Sequence, residues 1–577
     1  MKNTSRLIIL LIATSATLHA FGPKTFFNTR SQGVNAAREL AGWQQLINLS
    51  NKECSYGAVS IVPEYSRSFE PMDIGQFLFG CCPILHFSGS KVPNRSPQAI
   101  LADYFGLPSD FRSTVTFEPR ITNFVFDIDW YHGFDSWWKG GYVRVHLPIT
   151  HTKWDLHMHE CGTEFVSTNT FEPAGYWGPE RIVTKPEAKN QLYNTVREAF
   201  TGAKTYGDLL KPLKYGKIFG RQLLTRVADL QIAFGWNFLR GDDYHFGFNI
   251  RGTIPTGNAP NAEFLFEPIA GNGRHGELGG GLTTHVIFWR SPDTCHALGF
   301  YLDANITHLF SVRQKRSFDL RNSPSGSRYM LLETFAAPAD NLFVAPGQLA
   351  PTQYQRHLEP VINFTTFDVD VKVAVQADIV AKLSYQRDGL ELDLGYNFYA
   401  RSAEKLERCG CLHQDFYGLK GDAQIYGFDS VTQDPVPLSA SQHNATIYGG
   451  QGMGNFVLGA EYQNMNADNP VVASDSNGNL FDLQLRDALA LGLVQQQVFT
   501  SNPPLLLDDC DICEESAIMP RQISNKVFGY AGYCWHNPVG VDPYFGFGFA
   551  VEWAHVDPDK NSAYAQWQMW LKTGIAY

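Results

Sequence analysis

The sequence has no run of about 18 consecutive apolar residues, the length a helix needs to cross a bilayer, so helical membrane spans are excluded. It is also poor in charge: Asp, Glu, Lys and Arg make up 18% of the chain, against roughly 25% in an ordinary soluble domain. No basic stripe is present and the formal net charge is -11. Phosphates would find nothing to neutralise them, and nucleic acid is excluded as a partner. Methionine is scarce, at 8 residues, whereas glycine reaches 51 and aromatics 14%. That mixture suits many short alternating strands joined by polar loops.

Catalytic constellations are equally thin. Gly279-Gly280-Gly281 lies within strand periodicity, not between a strand and a helix, so it is a weak phosphate loop. Asp155, His157 and His159 stand at same-face spacing that any polar strand shows, and paired acids such as Asp127 and Asp129 read as wall charges before they read as an acid/base couple. The chain is therefore expected to be no enzyme, with no metal and no cofactor.

What is present is a two-residue period. Residues 368–383 place Val, Ala, Ile and Leu on one side and mostly Asp, Lys and Gln on the other. After Asp388-Gly389, a tight hairpin signal, Leu390, Leu392, Leu394, Tyr396 and Phe398 alternate with Glu391, Asp393, Gly395, Asn397 and Tyr399. Phe124, Phe126, Ile128 and Trp130 repeat the pattern, as do Val143, Val145 and Leu147, and the pair of runs 230–238 and 244–251 around Arg240-Gly241-Asp242-Asp243. Further strands are predicted near 56–69, 275–290, 296–310, 443–452, 454–463, 524–536 and 542–555. Apolar faces carry aromatics near their ends, which suits two interfacial girdles.

The final residues extend the pattern. Trp567, Met569, Leu571, Thr573, Ile575 and the terminal Tyr577 share one face, opposite Gln566, Gln568 and Lys572. This resembles the last-strand signal that the barrel-assembly machinery of bacterial outer membranes reads. At the other end, Lys2 and Arg6 precede the apolar run 7–13, and Leu18-His19-Ala20 offers a cleavage point. Residues 1–20 are expected to be a secretory signal.

Loop lengths give a topology. With Tyr577 in the periplasm, the short connections 133–139, 240–243, 291–295, 386–389 and 537–541 fall on the periplasmic side. The long ones, near 70–117, 151–218, 257–274, 311–364, 402–442 and 464–523, fall outside, the asymmetry of outer-membrane barrels. The expected fold is all-β: a closed antiparallel transmembrane barrel of about 14 strands, within about 12–16, occupying residues 53–577. Residues 21–52 do not fit the strand pattern. Ala36, Leu40, Trp43 and Ile47 have helical spacing, so a short helix plugging the lumen and a periplasmic tail are the two readings. A helix over 480–491 is expected in an outer loop.

Taken together, the signal segment, the non-strand N-terminal stretch, the strand number and the Tyr-terminated last strand resemble the long-chain fatty-acid and aromatic-compound channel families of outer membranes. Pro255-Thr256-Gly257 ending a strand, followed by the Gly-rich 276–282, is similar to the aromatic-compound branch. No Asn-Pro-Ala stands in the N-terminal segment where the fatty-acid branch carries it. The resemblance implies a barrel and solute passage, and no ligand-binding residue is carried over.

On that reading the inward faces set the field that solutes feel. The residues expected to line the lumen are Asp127, Asp129, Arg144, His146, Arg251, Asp368, Asp370, Lys372, Asp378, Lys382, Glu391, Asp393, Arg401, Glu552 and Lys572. Both signs occur, so ion pairs across the bore are expected to fill part of it. Ten cysteines in an exported chain invite disulfides. Cys81, Cys82, Cys161, Cys409, Cys411, Cys510 and Cys513 fall in outer loops and are the candidates, a trait also seen in cysteine-cross-linked outer-membrane porins. Cys510 and Cys513 with Cys409, Cys411 and His413 form an alternative zinc set. The expected function is passive passage of small polar or amphipathic solutes. The alternative is a structural or adhesive surface barrel with a blocked lumen and working outer loops. Expected partners are membrane lipid, the assembly machinery and small solutes.

Overall fold

The computed structural model describes residues 22–43, 46–49, 55–80, 82–166, 175–179, 191–292, 296–336, 353–412, 416–422, 425–428, 435–437, 441–450, 506–537 and 540–577. Twelve strands form a ring in which each is antiparallel to its sequence neighbours. They are β1 Tyr56–Ser68, β2 Arg120–Gly133, β3 Gly141–Asp155, β4 Leu230–Arg240, β5 Tyr244–Ile254 and β6 Glu277–Arg290, followed by β7 His296–Ser317, β8 Thr366–Arg387, β9 Leu390–Arg401, β10 Gln522–Cys534, β11 Asp542–Trp553 and β12 Gln566–Ala576. The ring closes where β12 pairs with β1, from Ala58 opposite Ala576 to Ser68 opposite Gln566. Closure leaves no edge strand, so every ladder group finds a partner without water.

Two further strands extend this sheet beyond the ring. Arg221–Val227 pairs with the far half of β3, and β4 takes the near half. Glu404–Arg408 runs along the far half of β8, past the point where β9 ends. The count therefore falls slightly below the expected 14 for the ring itself. The predicted strand at 443–452 is one reason: Thr446 and Gly449 close a turn there instead. The predicted strand 454–463 and the predicted helix 480–491 lie outside the described residues.

Short turns all gather at one end of the ring, and the long connections at the other, as expected from the spacing. Outward-facing side chains form an apolar belt: Phe126, Phe234, Phe248, Ile250, Leu282, Ile306, Leu394, Phe547 and Leu571 are all exposed. At the turn end the belt is aromatic, with Trp130, Trp137, Trp138, Trp289, Trp535 and Tyr577. Such a band, far larger than a soluble monomer tolerates, is a surface built for hydrocarbon. No helix among the described residues is long and apolar enough to cross a membrane.

The long connections are not loose. They fold into a cap with its own core, in which Phe87, Phe105, Phe200 and Tyr329 pack edge to face against Leu101, Leu331, Leu358, Ile425 and Ile447. Small sheets brace it: one joins Ile100–Leu101, Ile84–Ser88, Phe111–Thr116 and His159–Phe165, and another joins Gln353–Pro360, Leu331–Ala336 and Tyr417–Leu419. Burial of these aromatics, each worth ~2–3 kcal/mol, holds the connections together. Among the described residues none of the expected disulfides is present: Cys82, Cys161, Cys409, Cys411, Cys510 and Cys513 are free, and Cys81 lies outside the described residues. Five of those six thiols face solvent. The strand 404–408 is instead fastened to 509–514 by Arg408, whose guanidinium binds Asp509 at 2.7 Å and Glu514 at 2.8 Å.

Candidate functional site: the barrel interior and its N-terminal insert

Residues 22–43 and 46–49 thread the ring. Their one helix, α1 Ala36–Leu40, is capped by Asn35, whose Oδ1 accepts from the Arg38 amide at 3.4 Å. A five-residue helix has little stability of its own, and the wall supplies the rest. Ala36, Ala37, Leu40 and Ala41 pack on Val62, Tyr301, Val380, Phe528, Tyr530, Ala550 and Trp570. Small residues let the helix backbone come close. Past it, Gly42 has φ +74°, and a Cβ there would stand 2.5 Å from the Tyr530 ring, so only glycine fits.

Charges fix the helix in place. The Asp378 carboxylate accepts from the Ala36 amide at 2.9 Å at the positive end of α1, and Lys572 Nζ donates to the carbonyls of Arg38, Glu39 and Ala41 at 3.1, 3.1 and 2.7 Å at the negative end. Lys382 Nζ reaches the Leu40 carbonyl at 3.0 Å and Asp393 at 2.8 Å, and Asp393 accepts from the Gly42 amide at 3.1 Å.

Arg38, fully buried, binds Glu64 at 3.0 Å and Asp127 at 2.6 Å. Glu39 faces the wall guanidinium groups of Arg144 at 3.8 Å and Arg251 at 4.0 Å and the imidazole of His146 at 3.6 Å. Arg30 binds Asp378 at 2.9 Å and Glu552 at 3.3 Å, with its guanidinium over the Tyr399 ring. Trp43 lies between Arg144 and Lys572 and donates its indole N–H to Tyr544 at 3.3 Å. His146 is hydrogen-bonded to Asp129. Asp127, Asp129 and His146 converge within 4.8 Å, but Arg38 already supplies the cation there. A void lined by Val34, Glu39, Arg251, Glu277, Gln376 and Asp378 holds about 20 Å³, room for a water molecule and nothing larger.

Of the residues expected to face the lumen, Asp127, Asp129, Arg144, His146, Asp378, Lys382, Glu391, Asp393, Arg401, Glu552 and Lys572 are buried within the ring, and Arg251 is directed at Glu39. Asp368, Asp370 and Lys372 are not brought to that place. The register slips between the β7 pairs Thr307/Leu309 and Leu309/Val312, so both strands turn over. In β8 the slip falls at Ala374 and Val375, whose amides both donate to Ser402 Oγ, at 3.0 and 3.2 Å. Below it Gln376, Asp378 and Lys382 point inward; above it Val369, Val371 and Val373 are buried and the three charged residues face out. There they pair with Lys315 at 2.8 Å, Arg313 at 3.1 Å and Glu407 at 2.7 Å.

Sequence reasoning missed the insert's own charges, Arg30, Arg38 and Glu39, because attention went to its apolar spacing. It also missed Glu64, Asp303 and Lys526. Each of these stands on the inward period of a strand that was otherwise recognised, and that period was the available signal.

The geometry defines a closed antiparallel barrel with an apolar outside, a charged inside and an internal insert. No family model matches the chain, and no curated protein does. Among solved structures it resembles an outer membrane channel from Pseudomonas putida F1 (7% identity, 90% of this chain and 96% of that one, TM-score 0.33). It also resembles a TodX monoaromatic hydrocarbon channel mutant (7%, 91% and 90%, TM-score 0.28) and a Pseudomonas aeruginosa FadL homologue (6%, 96% and 99%, TM-score 0.25).

Proposed function

We propose that the chain is an outer-membrane channel for small polar or amphipathic solutes, closed by its own N-terminal segment. One observation carries this reading. The insert completes the pairing of the wall charges: Arg30, Arg38 and Glu39 take Asp378, Glu552, Glu64, Asp127, Arg144 and Arg251 as partners. Withdrawal of residues 21–52 takes the partners from Glu64, Asp127, Asp378 and Arg251 while Arg144–Asp303, Lys382–Asp393 and Lys526–Glu552 still pair along the wall, which leaves a bore lined by charges of both signs. Residues 1–20 serve as the export signal. The outward face of β12, with Trp567, Met569, Leu571, Ile575 and Tyr577, serves as the assembly signal, and lipid covers the belt.

The cap favours a second reading, a surface barrel whose outer domain does the work, because loops that only frame a pore have no need of a core this size. Planar-bilayer recording separates the two. The full chain is expected to conduct rarely, and the chain lacking 21–52 is expected to give stepwise conductance with weak ion selectivity. A heat-modifiable, folded deletion variant that stays silent would reject the channel.

A further inference from the structure

We propose that the β10–β11 hairpin at the turn end of the barrel binds a zinc-class divalent metal through Cys534, His536 and Asp542. In the β10–β11 ladder Cys534 stands opposite Tyr544. Two residues further on, His536 lies on the same face as Cys534, and across the turn Asp542 comes opposite it, so the hairpin delivers three ligand-bearing side chains to one point. Their ligand atoms all lie within 4.8 Å of one another.

The carboxylate is already aimed. Asp542 Oδ1 accepts from the Asn537 amide at 2.8 Å, and Oδ2 stands 3.1 Å from His536 Nδ1. Cys534 is anchored by its amide to the Gly389 carbonyl at 2.9 Å and is buried beside Trp43, Leu46, Ile47 and Tyr544. The site therefore has one fixed, dry wall. Its other wall is the exposed His536 ring, free to swing inward by the ~1 Å that tetrahedral coordination requires, with zinc–sulfur about 2.3 Å and zinc–nitrogen about 2.0–2.1 Å.

A thiolate, an imidazole and a carboxylate form a borderline-soft set that suits Zn²⁺ over Ca²⁺ or Mg²⁺. Binding releases the thiol proton to solvent, and the two anionic ligands balance the ion's charge. Water takes the fourth position on the exposed side. The bland alternative is a core thiol beside a His–Asp pair that closes a turn.

Co²⁺ titration of chelator-stripped, refolded full-length protein distinguishes them. One equivalent is expected to produce sulfur-to-cobalt charge-transfer absorption that Zn²⁺ abolishes. Cys534→Ser should lose it, and the variant with Cys409, Cys411, Cys510 and Cys513 all changed to Ser should keep it. His536→Ala at an exposed position and Asp542→Ala at the half-buried start of β11 should weaken Co²⁺ binding at least tenfold while keeping heat-modifiable mobility. If Cys534→Ser does not fold, these two variants decide. No absorption, absorption that survives Cys534→Ser or disappears from the four-cysteine variant, or unchanged affinity in both turn variants would overturn the proposal.

Discussion

Arg38 answers two carboxylates at once in a place without solvent, and that makes it the most exacting single residue of the interior. Its removal leaves Glu64 and Asp127 as uncompensated buried charges, a loss of about 3–5 kcal/mol. Arg38→Ala is expected to lower the urea midpoint of the refolded barrel accordingly. Adding Glu64→Gln and Asp127→Asn should recover more than half of the loss, and a triple variant no better than Arg38→Ala alone would show that the carboxylates are not its partners. Gly42 is constrained by shape, not charge. With φ +74° and the Tyr530 ring in the space a Cβ would occupy, Gly42→Ala should displace the insert and raise open probability in bilayers without loosening the strand ring.

At the scale of the strand, orientation decides what a substitution does. Leu394, near the middle of β9, is 63% exposed, so Leu394→Arg is expected to cost about 2–4 kcal/mol in folding into a bilayer. Asp370→Leu, which removes an exposed partner of Arg313, should leave the urea midpoint nearly unchanged. Urea titrations in vesicles check both. The hairpins were legible because a half-buried strand writes its two environments alternately, and turns such as Asp388-Gly389 mark where it reverses. The face switch in β8 was not legible. Val369, Val371, Val373 and Val375 alternate without a break, yet Val373 is buried and Val375 exposed. A bulge consumes one residue of a strand without altering its composition; Ser402, which holds it open, comes from just past the end of β9 and has no local signature.

The whole molecule divides by the kind of order each part needs. The ring follows from local alternation, whereas the cap is assembled from short pieces far apart in sequence, each too brief to carry a period. Phe87, Phe200 and Tyr329 meet only in three dimensions, so loops were expected where a core exists. Inside that core Lys420 is buried against the Tyr176 ring, Nζ 3.4 Å from its centroid. Burial pulls its pKa down to about 8, although Glu333, Asp103 and Asp422 pull the other way. An unfolded lysine titrates near 10.5, so between about pH 8 and pH 10 the open cap binds more protons than the closed one. Lys420 then contributes cap stability that rises with pH across that window and stays level below it. The cap of the wild-type barrel should be cut more slowly by an externally added protease at pH 9.5 than at pH 8, with rates normalised to an unfolded peptide. Lys420→Met should abolish the difference while the barrel keeps its heat-modifiable mobility; an identical pH response in that variant would place the titration elsewhere.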